Sequence, residues 1–209
     1  ELTLEHCLIG IEGPGTIDID VFSASDIDHD GARVSGTASF TDVSMANMTA
    51  GIYSSGDLTV SIANFATVGT AISLTGGSAD VDEVVFSSAV STAVSVHSGV
   101  TGDVTGMSGD ADTAIIAMDS TGFTFSDINM TGSRLVNSWS AGDLTINNAT
   151  FESDSPETVI DVRTSANFIV DGATISGAFT SSQQSYDAPW IAISLAGSGD
   201  HILSNLNVE

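Results

Sequence analysis

Apolar residues recur along this chain in one short phrase. An apolar residue is followed three places later by an apolar or small one, and two places after that by another apolar one. The phrase is anchored at Leu4, Phe22, Phe40, Val60, Val81, Phe125, Ile146, Val170 and Leu203, with a degenerate copy at Gly102. Successive anchors lie 18 to 24 residues apart, and the last step is 33. The fullest copies read "GDLTVSIANF" and "GDLTINNATF". In the first, Leu58 and Val60 alternate inward, Ser61 and Ile62 break the phase, and Ala63 and Phe65 alternate inward again. That is the pattern of two short strands meeting at a corner. A further strand is predicted 11 to 16 residues after the anchor, as in "TAISL" (70–74), "TAVSV" (92–96) and "TAIIAM" (113–118).

A unit of about 20 residues with three short strands cannot bury its own apolar face, whereas stacked units can. Val, Ile, Phe, Thr and Ser dominate, and no amphipathic helical stretch of useful length interrupts them. The expected fold is therefore all-β, a parallel solenoid of about ten coils of roughly 18–24 residues in one domain, 1–209. Nine steps at the inter-strand spacing predict a rod roughly 43 Å long. The corner phrases "FTDVSM", "FSDINM", "INNATF" and "VDGATI" resemble those of the right-handed parallel β-helix, or pectate-lyase-like, family. The resemblance covers nearly the whole chain. It implies three parallel sheets per coil and a right-handed winding. Members of that family include polysaccharide lyases and hydrolases, epimerases, adhesin stalks and viral tailspikes.

Charge changes the picture most. Twenty-seven acids face three basic residues, Arg33, Arg134 and Arg163, and the formal net charge is -24. Such a surface repels nucleic acid and anionic lipid. It suits a chain hydrated in high salt, so a halophilic or marine source is expected. A single cysteine, Cys7, excludes an internal disulfide. No apolar run is long enough to span a bilayer. The chain begins at Glu1 rather than Met, which reads as a processed protein or an excised piece. Sequons at Asn47, Asn129 and Asn148 become glycosylation sites if the protein is secreted.

Three groups of residues are candidates for chemistry. Asp26, Asp28 and Asp30, followed by Gly31, read as the opening of a calcium loop. The full helix–loop–helix pattern fails, because Arg33 and Thr37 stand where an apolar residue and a carboxylate belong. A simpler Ca2+ site and a solvated acidic turn both remain open. The corner acids Glu5, Asp42, Asp82, Glu83, Asp103, Asp127 and Asp171 read as one outward column. Carboxylates on stacked coils, roughly 5 or 10 Å apart, approach glycosidase spacings, so Asp42, Asp82, Glu83 and Asp127 are the catalytic candidates. Ordinary hydrated turns share that spacing. The family's lyases use Arg or Lys and its hydrolases a Gly-His-Gly signature; here the arginines are scattered in sequence and the signature is missing. The third group lies in the long insertion 176–190, where Tyr186 and Trp190 could stack on a sugar and Gln183, Gln184 and Asp187 could bond it. Trp190 could equally anchor the loop.

The functional expectation is a non-catalytic structural or adhesive segment of an extracellular or cell-surface protein. It would bind polysaccharide, or stack end to end with another β-helix subunit as part of a longer rod. A carbohydrate-active enzyme using the corner acids is the alternative, and a calcium- or carbohydrate-binding module is a third.

Overall fold

A computed structural model describes the chain except for residues 98, 120–121, 140–141, 156, 165 and 178–191. Among the described residues there is no helix, and sixteen strands cover 79% of the positions. Every strand pairing between coils is parallel. The chain is a β-solenoid of about eight turns, as the strand-corner-strand phrase implies.

The in-register position returns at Ile19, Phe40, Val60, Val81, Val104, Phe125, Ile146, Val170 and Leu203. Nine such positions bracket eight turns, about 38 Å of rod at the inter-strand spacing. Three of the ten sequence anchors are thereby displaced. Leu4 pairs with Ala24, Phe22 pairs with Val43, and Val104 rather than Gly102 holds the anchor position. Leu2–Gly13 contributes only an incomplete turn beneath the first full one.

Each turn passes through three faces. The first is Leu58–Val60 and its equivalents, the second Ala63–Ala66, and the third Thr70–Leu74. In the lower coils the backbone runs unbroken around the corners, as in Thr16–Val34, Thr37–Ser54 and Asp57–Leu74. In the upper coils it breaks into separate strands, such as Phe123–Gly132 and Val136–Trp139.

The corners are built by residues with positive φ, the left-handed region that favours Gly, Asn and Asp. Between the second and third faces these are His6, Asp26, Asn47, Thr67 and Ala89. Between the first and second faces the sharp bend is made in the upper coils by Glu83, Gly106, Asp127, Asn148, Gly172 and Asn205. Asn side chains then tie successive corners together. Asn47 Nδ2 donates to Asp26 Oδ1 at 3.0 Å, and Asn148 Nδ2 to Asp127 Oδ1 at 2.5 Å.

The interior is one column of apolar side chains. Phe22 stacks on Phe40 with ring centroids 5.8 Å apart, and Phe65 on Phe86 at 6.0 Å. Leu58, Val60, Ala63, Phe65 and Ile27 are all buried, as the alternation requires. The large rings need small residues opposite. A Cβ placed on Gly51 would stand 2.4 Å from Phe65 Cε1, so only glycine leaves room for that ring.

Two substitutions check this account. Phe65→Ala should cost about 3–5 kcal/mol in urea unfolding. Thr67, a β-branched residue held at φ 55°, sits above Asn47 in the corner column. Thr67→Asn should raise stability by about 1 kcal/mol through relief of left-handed strain; a neutral or destabilising result would contradict the corner assignment.

Candidate functional site

On the third face the outward positions carry a chemistry different from the rest of the rod. Register stacks Glu12, Arg33, Tyr53, Ser73, Ser95, Ile116, Asn137, Asp161 and Ser194 in one column. A second column, two residues further along each strand, holds Met118, Trp139, Arg163 and Ala196. Arg134 stands just before the strand Val136–Trp139. All three basic residues of the chain thus collect along one face. In sequence they are scattered; the stacking gathers them.

Each arginine meets a carboxylate. Arg33 binds Asp30 through Nε at 2.7 Å and Nη2 at 2.5 Å, lies 3.6 Å from Glu12, and has its guanidinium 6.0 Å from the Tyr53 ring centroid. Arg134 reaches Glu157 at 3.2 Å. Arg163 donates from Nη2 and Nε to both Asp161 oxygens, at 3.0 and 3.4 Å. The two ends of the face are about 29 Å apart along the axis, six coil steps from Arg33 to Asp161. They therefore form two separate clusters. Thr75 donates to Tyr53 Oη at 3.1 Å, and Ser95 Oγ lies 3.0 Å from His97 Nε2.

The aspartates of the acidic stretch do not converge. Ile27 is a core residue, and a register shift between Ile27 and Asp30 makes a bulge within the strand Thr16–Val34 where a chain-reversing turn was expected. Asp26 sits at the corner and accepts from Asn47. The Asp28 carbonyl accepts from Thr49 Oγ1. Asp30 is buried and held by Arg33. Among the described residues no three His, Cys, Asp or Glu side chains stand together where they could hold a metal ion. The carboxylates of Asp26 and Asp30 are thus engaged by Asn47 and Arg33.

The corner acids also separate. Asp42, Glu83 and Asp127 share one column but occupy alternate coils, with Ile62 and Gly106 between them, so neighbours in the set are about 10 Å apart. Asp82 lies one residue earlier, opposite Thr105. Asp127 is bonded by Asn148. Asp103 belongs to the first face, opposite Asp80. Burial, and then the nearby charges of Asp80 and Asp82, hold its carboxyl above the usual range. Asp171 is held below it by bonds from Ser204 Oγ and Asn205 Nδ2, at 2.8 and 2.7 Å. Asp57 is likewise lowered by Ser78 N–H and Oγ.

Sequon residues Asn47, Asn129 and Asn148 are all exposed, although Asn47 and Asn148 use their amide nitrogens in the corner ladder. The insertion candidates Gln183, Gln184, Tyr186, Asp187 and Trp190 lie outside the described residues. A depression of about 270 Å³ opens on the second corner beside Asp110, Asp112 and Asp154, where the pairing of Phe86 and Val90 with the next coil slips. Sequence reasoning missed Tyr53 and Trp139. For Trp139 the signal was present in the strand "VNSW", whose period of two sets Asn137 and Trp139 opposite Val136 and Ser138.

The carboxylates give a pH prediction. A raised folded pKa means the folded state binds the proton more tightly, so stability falls as pH rises through the window above the ordinary carboxylate value. Asp103→Asn should therefore raise the melting temperature at pH 7, and the gain should vanish below the ordinary aspartate range. For Asp171 the sign reverses: its contribution is present at neutral pH and is lost as pH falls through its depressed folded value. Equal effects of Asp103→Asn at pH 7 and pH 3 would contradict the assignment.

No protein-family model, curated protein or solved structure matches the chain.

Proposed function

We propose that the chain is a non-catalytic structural or adhesive β-helix segment of an extracellular or cell-surface protein, kin to the pectate-lyase-like right-handed β-helices. The observation that carries this reading is the unbroken inter-coil register from Ile19 to Leu203. Such a rod holds rows of side chains at fixed spacing, which suits repeated contacts with a polymer or another rod. The acid-rich, lysine-free surface supports a setting of high ionic strength, where screening relieves self-repulsion. The exposed sequon residues support an extracellular location.

Carbohydrate-active catalysis by Asp42, Asp82, Glu83 and Asp127 is the second reading. Asp42, Glu83 and Asp127 share one outward column, which favours it, but their alternate-coil spacing of about 10 Å exceeds that of a retaining pair.

Incubation with neutral and acidic polysaccharides separates the two. The proposal expects co-sedimentation with a polysaccharide and no release of shortened or unsaturated products. Product release that disappears in Asp127→Asn would overturn it.

A further inference from the structure

The upper cluster of the third face has a geometry that no part of the reading above uses. Asn137 and Trp139 lie on one strand, and Asp161 and Arg163 face them residue for residue on the next. Asn137 and Trp139 are two residues apart and so project from the same side. The four side chains stand at the corners of a patch about 5 by 7 Å, set by the inter-strand spacing and the strand rise.

Their exposure and bonding are uneven in an informative way. Trp139 is 41% exposed, whereas the other large aromatics among the described residues are mostly buried. The Arg163 side chain is 65% exposed, while its fork to Asp161 fixes the position of both groups. Asn137 is only 4% exposed, and its Oδ1 has no hydrogen-bond donor among the described residues. A buried acceptor left without a donor is costly, and a donor supplied from outside removes that cost. The patch therefore offers an apolar plate and outward N–H donors on Arg163, flanked by the nearly buried Asp161 carboxylate and the buried, unmet Asn137 acceptor.

We infer that Asn137, Trp139, Asp161 and Arg163 form a saccharide-binding subsite for a neutral hexose unit. The indole plate packs against the C–H face of the ring, and adjacent hydroxyls both donate and accept, matching the Asn and the Asp–Arg pair. Charge selects the class. Asp161 already neutralises Arg163, and the net charge of -24 repels an anionic sugar. This inference rests on the adhesive reading and names its ligand and its site.

The test is a neutral and uronic oligosaccharide array, followed by calorimetric titration of the best binder and product analysis of the same mixtures. Binding of a neutral oligosaccharide is expected, with little dependence on salt. Trp139→Ala should weaken it at least tenfold, Trp139→Phe should retain part of it, and Asp161→Asn should weaken it. Melting temperature reports whether each variant folds. Trp139 is outward, so Trp139→Ala should fold normally; if it does not, the milder Trp139→Phe and Asp161→Asn decide. No binding by the wild type, preference for uronic sugars, or unchanged affinity in folded variants would each overturn the subsite. Unchanged affinity in the variants leaves the adhesive reading standing, because the wild type still binds. Product release would instead overturn the non-catalytic reading, with Trp139 dependence judging the subsite separately.

Discussion

Every feature of this rod depends on the parallel backbone pairing between one coil and the next. A strand inside the stack has its N–H and C=O groups satisfied by its neighbours above and below, so each coil must match the register of the last. That requirement places equivalent side chains over one another. It builds the interior column of Phe, Val, Ile and Ala, and it forces local compensation wherever a large ring sits. Gly51 beneath the Phe65 ring is such a compensation. The bulges between Ile27 and Asp30 and between Phe86 and Val90 take up the extra residues in coils that are too long.

The same stacking turns an irregular surface sequence into ordered rows. At the corners, seven of the eleven positive-φ positions are Asn, Asp or Gly, and Asn and Asp side chains add rungs between coils. On the third face the rows collect all three arginines, each beside an acid. A chain of such high negative charge thereby keeps its few cations where they are locally compensated, and leaves Tyr53 and Trp139 between them. The rigid placement of these groups, rather than an enclosed cleft, is what the fold offers for recognition.

The fold was legible because its signal is local and repeated. Leu58, Val60, Ala63 and Phe65 reveal strand, corner and strand within eight residues, and the repeat multiplies that evidence. The exact register was less legible. The first and second corners of a turn both break the alternation, so the phrases at Leu4 and Phe22, which belong to the second corner, pass for the first. Gly102 carries no side chain to fix its phase, which hid Val104 as the true anchor. Errors of two to five residues are harmless to the fold and decisive for a site. They merged acids from different positions into one column, whereas Trp139 and Arg163, 24 positions apart, lie between the correctly registered anchors Phe125, Ile146 and Val170. The pairing of Asp30 with Arg33 depends on a bulge that no alternation pattern reports.

The central claim is the axial register, and pulsed dipolar distances between spin labels test it most directly. On a Cys7→Ser background, labels at Ser23 and Asn129 span five coil steps of one outward row, and labels at Ser23 and Thr174 span seven. The account predicts mean separations of about 24 and 34 Å, differing by two inter-strand spacings. Two distances that differ by less than one spacing, or by more than about four, would contradict a continuous stack of coils in this register.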